Sequence, residues 1–206
     1  MAHTEAEWSV LLIGGASGTG KSTVARALAR QEGATWLQVD DLRLALERVQ
    51  GPDGLSPAIR AMLSGEAWGM GPDIARGGLI EIAKLLAPAI EAVVENHVDQ
   101  RDPIVIEGDA ILPALIERPA MVDQRHAIRA AFIEEPDEDV LFRGLVTRAR
   151  GGPRSIDEFR AEARAKHAYG RWLSAEARRL EIPVVVSRPW PTLGARILAA
   201  AALVGR

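Results

Sequence analysis

The chain has 206 residues and no cysteine, and 25 Lys plus Arg against 28 Asp plus Glu leave a formal net charge of −3. That length suits one domain at about 150 residues per domain, enough to bury roughly 70% of the unfolded surface without disulfides or a structural metal. The lack of cysteine excludes a disulfide scaffold, a thiolate zinc site and a thiol nucleophile, and near-neutral charge speaks against a nucleic-acid footprint or a polybasic membrane patch.

Residues 1–7 are polar and acidic, so no signal peptide is expected there. No apolar stretch reaches the roughly 20 residues of a membrane-spanning helix, and a cytoplasmic location is expected. Residues 8–13 form a short apolar run ending in glycines, which reads as a buried strand. Residues 21–31 place Val24, Leu28 and alanines on one face with Arg26 and Arg30 outside, a helix that Gly33 stops. A second strand is predicted over 35–39 and a helix over 40–49. The Gly- and Pro-rich segment 51–72 reads as an insertion carrying one short helix, 57–63. Apolar residues at helical spacing over 73–96 predict a long helix that Pro88 should kink or divide. Strands follow at 103–106 and 127–133, then a helix from Pro136 to about 149. After the break at Gly151, Gly152 and Pro153, Ser155 and Glu158 form a capping-box pattern that opens a helix to about 180. A fifth strand is predicted over 183–187 and a last helix over 192–204. Five short apolar strands alternating with helices make an α/β three-layer sandwich, a parallel sheet covered on both faces.

Gly15-Ala16-Ser17-Gly18-Thr19-Gly20-Lys21-Ser22 fits the phosphate-binding pattern G-x-x-x-x-G-K-[ST], with a strand before it and a helix after it. Glycines let the backbone wrap a phosphate with inward N–H groups, and the helix N-terminus adds positive potential. Lys21 is expected on the β- and γ-phosphates and the Ser22 hydroxyl on magnesium, with Thr23 as packing or a further phosphate contact. Lysine is scarce: Lys21, Lys84 and Lys166 are the only three, and every other basic residue is arginine. A lysine at the motif position therefore stands out, while any single arginine is weaker evidence. A dinucleotide fingerprint is excluded because Thr23 stands where its third glycine belongs. The guanine-reading Asn-Lys-x-Asp is absent. Leu63-Ser64-Gly65-Glu66 resembles half of an ABC signature with no acid-ended strand close behind it, and the length leaves no room for the helical domain of AAA+ ATPases.

Ligands of open α/β sheets sit at the carboxyl ends of the strands. Asp40-Asp41 ends the second strand and Glu107-Gly108-Asp109 ends the third. Asp40 suits a substrate hydroxyl about to attack a phosphoryl group, with Asp41 as helix cap or the two roles exchanged. Glu107 is placed to hold magnesium directly or through water, and Asp109 to do the same or to meet the acceptor. Gly108 would permit close approach of substrate. Arg43, one turn after Asp40, suits an anionic acceptor. Arg143, Arg148, Arg150 and Arg154 surround the Gly-Gly-Pro break, where at least one of the last three is expected to close over the phosphates. Trp68 reads first as packing under the loop, with a wall of the acceptor pocket as the alternative, and Arg188 and Trp190 are candidates for the border of an adenine site. His167, Tyr169 and Trp172 read as structural.

The combination of GGASGTGKST, VDDLR, IVIEGDAILP and the arginine-rich break resembles the nucleoside/nucleotide kinase-like P-loop kinases. Within them it is similar to the small-molecule kinases around 2-phosphoglycerate kinase and chloramphenicol phosphotransferase. The resemblance covers nearly the whole chain. It implies a five-stranded parallel sheet of order 2-3-1-4-5, ATP and Mg²⁺ as cofactors, an acid of strand two near the acceptor hydroxyl, and lid arginines reaching ATP. Residue by residue this carries onto 15–23, Asp40 and Arg148 or Arg150. The organisation expected is a single domain over 1–206, with acceptor-side insertion 51–72 and a lid at about 148–155. The expected activity is transfer of the ATP γ-phosphate to a small-molecule hydroxyl, Arg43 tilting the acceptor towards a phosphorylated or carboxylated metabolite. A neutral acceptor such as an antibiotic, and a nucleotide-binding regulator or slow ATPase, stand as alternatives. A polynucleotide 5′-kinase would need a basic groove along 51–76, which carries Arg60 and Arg76 against Asp53, Glu66 and Asp73. Nucleic-acid and membrane partners are not expected.

Overall fold

Strand β1 (Val10–Gly15) lies at the centre of a five-stranded sheet and is buried at every position. The computed structural model describes residues 8–51, 54–148 and 154–201. The other strands are β2 (Thr35–Gln38), β3 (Ile104–Gly108), β4 (Ile128–Glu134) and β5 (Val184–Val186), in the order β2-β3-β1-β4-β5 with every neighbouring pair parallel. This is the sheet that the resemblance implies. Helices α1 (Lys21–Glu32) and α8 (Leu193–Ala201) cover one face, where Leu11, Ile13, Val105 and Ile133 meet Val24, Leu28 and Ile197. Helices α4 (Pro72–Gln100) and α7 (Ile156–Arg179) cover the other, where Val10, Leu12, Ile106 and Phe132 meet Leu86, Ile90, Tyr169 and Leu173. Alternate residues of each strand serve opposite faces, so the strands read as continuous apolar runs.

Helix α2 (Val39–Gln50), helix α3 (Pro57–Ser64), the short helices α5 (Pro119–Asp123) and α6 (Glu138–Thr147), and three 3₁₀ turns complete the described chain. Three local expectations change. β3 runs two residues past its predicted end because the ladder with β1 continues, Ile13 opposite Glu107 and Gly14 opposite Gly108. Glu107 thus lies inside the sheet. Val39 opens α2, so Asp40 and Asp41 stand in its first turn instead of closing a strand. Pro88 neither ends nor divides α4. Lys84 and Pro88 both face solvent, where water can serve the carbonyl that proline leaves without a donor. The described part of 51–72 folds onto α4: Ile59 and Met62 are buried, and Met62 packs so closely on Gly78 that a Cβ there would lie 2.3 Å from its Cγ. Among the described residues no helix is long and apolar enough to cross a membrane.

Candidate active site

The phosphate loop leaves β1 at Gly15 and closes at Gly20. Gly15 has φ 134 and lies so close to β4 that a Cβ would stand 2.4 Å from the Ile133 carbonyl oxygen. Gly20, with φ 89, is the N-cap of α1, where no side chain caps the helix and no acid stands in the first turn. The free N–H groups of that turn are available to an anion. Inside the loop, Lys21 Nζ and Thr19 Oγ1 both donate to the Ala16 carbonyl at 3.0 Å. The loop borders a cleft of about 560 Å³ with Ser17, Gly18, Gly20, Lys21, Ser22 and Thr23 in its wall. Burial pushes the Lys21 ammonium below its ordinary pKa; Asp109, Glu107 and Asp40 oppose that shift, and Lys166 reinforces it.

Three carboxylates face this lysine. Glu107 is 1% exposed, and its Oε1 is buried without a hydrogen-bond partner. Burial raises its pKa, against a hydrogen bond donated by the Ser22 hydroxyl and the charge of Lys21. An orphaned carboxylate oxygen beside a P-loop hydroxyl is costly unless a cation completes it. The donors are hard oxygens, which suit Mg²⁺, an ion that takes one or two protein oxygens and keeps water and phosphate for the rest. No cluster of three or more His, Asp or Glu among the described residues forms a metal cage by itself. Ser22 and Glu107 thus fit the predicted metal pair. Gly108, by contrast, serves packing: a Cβ there would lie 2.6 Å from Cβ of Val39, so the glycine admits the start of α2 as well as bordering the cleft.

Asp40 lines the cleft, accepting from Gln38 Nε2 at 3.2 Å and Arg43 Nε at 3.4 Å. Asp41 is exposed, and neither acid caps α2, whose N-cap is Gln38 without a side-chain bond. A second cavity of about 270 Å³ adjoins the cleft, with Trp68, Leu79, Ile82 and Met62 on its apolar side and Arg43 at its edge. Ser17, Asp40, Asp109 and Lys166 border both cavities. Arg43 reaches this pocket already ion-paired to Asp40 and Glu47, so its charge is matched within its own helix. Arg76 pairs with Asp73 and, like Arg60, borders neither cavity.

Arg148 Nε donates to the Gly144 carbonyl at 3.0 Å and its guanidinium lies beside Gly18, bordering the cleft. Arg154 borders it too, on the Phe159 ring and bonded to Glu162 at 2.7 Å. Arg150 and most of the predicted lid lie outside the described residues. Arg188 is not in the cleft wall: its guanidinium bonds Glu135 Oε1 at 2.9 Å, with Asp137 at 3.9 Å. Its neighbour Trp190 is the residue that touches the loop, its ring packed on Gly20.

Sequence reasoning missed Glu162 and Lys166. Glu162 is buried between Arg154 and Lys166, whose Nζ lies 2.5 Å from its Oε1. Burial pushes its pKa up, but the two cations outweigh that and hold it below the ordinary range. The signal for Lys166 was present, since the scarcity that singles out Lys21 applies to it equally. Tyr169, read as structural, stacks on Trp172 and donates to the Asp109 carbonyl at 2.7 Å.

A family model described as "AAA domain" matches residues 10–169, from β1 through the Glu162–Lys166 turn of α7. The match lies within one domain, whereas the length argument above concerned AAA+ ATPases with a further helical domain. Among solved structures, a gluconokinase from Sinorhizobium meliloti 1021 aligns over 96% of this chain and 93% of its own, at 19% identity and TM-score 0.55. A shikimate kinase from Aquifex aeolicus vf5 aligns over 95% and 99%, at 21% identity and TM-score 0.43. A sugar kinase from Janibacter sp. HTCC2649 aligns over 96% and 98%, at 16% identity and TM-score 0.46. At such identities the likeness to the gluconokinase is one of fold. No curated protein sequence matches the chain.

Proposed function

The chain belongs to the AAA domain family, and from that membership and its two adjoining cavities we propose that it is an ATP-dependent phosphotransferase acting on a small-molecule hydroxyl. The observation that carries the reading is the shared wall. A phosphate cleft headed by Lys21 opens onto a second pocket across Ser17, Asp40, Asp109 and Lys166. A nucleotide-binding regulator would fill that second pocket with its own side chains.

Lys21 and the α1 N-terminus hold the β- and γ-phosphates. Ser22 and Glu107 hold Mg²⁺, which when bound neutralises phosphate charge. Asp40 or Asp109 orients the acceptor hydroxyl and takes its proton. The acceptor oxygen forms a bond to Pγ as the bond from Pγ to the bridging oxygen breaks, and that electron pair leaves on ADP. Positioning and electrostatics supply most of such a rate. Arg148, Arg150 or Arg154 serves the transferred group from the lid, and Trp190, whose ring packs on Gly20, borders the adenine side. Segment 51–72 builds the acceptor side of a single domain.

The anionic-acceptor reading rests on Arg43. Because Arg43 is paired with Asp40 and Glu47, and Trp68, Leu79 and Ile82 line the same pocket, a neutral acceptor with an apolar side is the second reading. The test is ATP consumption across a panel of anionic and neutral hydroxyl compounds, with wild type beside Lys21→Ala and Asp40→Asn. Acceptor-stimulated turnover that both variants lose is expected. No stimulation by any acceptor, or wild-type turnover in Lys21→Ala, refutes the mechanism.

A further inference from the structure

Phosphoryl transfer from one cavity to the other must cross their common boundary. Of the four residues on it, two are carboxylates, one is a loop serine and one is a cation, Lys166. Arg26, Arg148 and Arg154 border the cleft only, and Arg43 the pocket only. Lys166 is therefore the one cation bordering both cavities among the described residues.

Its ammonium is fixed on several sides. Glu162 Oε1 lies 2.5 Å from Nζ, and the Trp68 ring centroid lies 5.2 Å from it. The helix beneath is fastened to the loop and to Asp109, just past the end of β3. Gly170, four residues on and so on the same helical face, lets α7 approach until a Cβ there would stand 3.1 Å from that of Ala16. Tyr169 bonds the Asp109 carbonyl. Glu162 meets two cations, Lys166 and Arg154, with one carboxylate, so the triad carries surplus positive charge at the cleft wall. Lys21 and Lys166, from the loop and from α7, both border the cleft, so an anion bound between them would meet positive charge from two separate elements. Composition points the same way. In a chain whose basic residues are otherwise arginine, two of the three lysines border this cleft and the third, Lys84, is exposed on α4.

We propose that Lys166 is a second phosphoryl-binding cation, meeting the γ-phosphoryl group from the acceptor side opposite Lys21, with buried Glu162 as its positioning residue. The inference rests on the phosphotransferase reading and assigns the charge of that boundary to the group in transit, leaving the acceptor free to be neutral. As the acceptor oxygen attacks and the bridging oxygen departs, Lys166 exchanges no proton. It stays charged and offsets the negative charge on the equatorial oxygens.

Titration calorimetry with two probes tests this without knowing the acceptor: ADP with magnesium, which lacks the γ-phosphoryl group, and the β,γ-imido analogue of ATP with magnesium, which has it. Lys166→Met is expected to lose about tenfold or more in affinity for the imido analogue, a factor worth about 1.4 kcal/mol, while ADP affinity holds and reports an intact fold. Lys166→Arg should recover most of the loss. Glu162→Gln should lose severalfold on the imido analogue alone; a merely structural role would weaken both probes together. Equal losses on both probes, or no loss on either, overturn the assignment. Wild-type protein that binds neither probe overturns the nucleotide reading beneath it, an outcome distinct from the failure of Lys166 alone.

Discussion

Replacing Gly20 by alanine adds two separable costs at one point of the phosphate loop. The first is backbone: Gly20 has φ 89 and ψ 9, and a left-handed conformation costs an L-residue about 1–2 kcal/mol. The second is steric. The new Cβ would lie 2.0 Å from Cζ3 and 2.8 Å from Cη2 of Trp190, where carbon atoms settle at about 3.5–4.0 Å. The ring must withdraw by about 1.5 Å to restore that spacing. Trp190 is 45% exposed, so it can swing outward, giving up roughly half of the ~1.5–3 kcal/mol that burying a large apolar side chain supplies. Gly20→Ala should therefore lose about 2–3 kcal/mol in urea unfolding followed by far-UV circular dichroism. In a Trp190→Ala background the steric cost vanishes, and the same substitution should lose only about 1–2 kcal/mol. A coupling of about 1 kcal/mol is thus expected between residues distant in sequence. Strict additivity of the two substitutions, or a single-variant loss under about 0.5 kcal/mol, would refute the packing of Trp190 on the loop as the cause.

Glu107→Gln should raise the magnesium concentration needed for nucleotide binding by about tenfold or more, measured by ADP titrations at stepped magnesium; an unchanged requirement refutes the Ser22–Glu107 metal pair. Because burial raises the Glu107 pKa, metal-dependent binding in the wild type should fall on acidification already above the ordinary carboxylate range. Glu162 behaves oppositely. Burial pushes it up, but Lys166 and Arg154 outweigh this and its pKa is depressed. Its contribution to stability is then full above the unfolded value of about 4.3 and is lost as pH falls through the lower folded one. Glu162→Gln should lower the urea midpoint at pH 7 and flatten its fall below about pH 4.5; parallel curves for variant and wild type would contradict the ion-paired carboxylate.

The amino-acid sequence by itself determines the phosphate loop, the alternation of strands and helices, and the acids near the ends of β2 and β3. Each depends on residues close together in the chain. Spacing alone makes Gly15 to Ser22 a loop between strand and helix, puts Asp40 one turn from Arg43, and builds the Ser155–Glu158 capping box, both of whose hydrogen bonds form. Exact ends were less legible, because where β3 stops depends on how far β1 runs beside it. Only the tertiary structure decides what those elements face. Arg43 reads as a free cation until Glu47 and Asp40 are seen to match it. Asp40 and Asp41 are equivalent in sequence, and the rotation of α2 turns one to the cleft and the other to solvent. Lys166 and Glu162 belong to no local motif. They reach the site because Gly170 and Tyr169 dock α7 on the loop and on Asp109, just past β3. Contacts between elements remote in the chain depend on shape and burial, which no spacing of residues encodes.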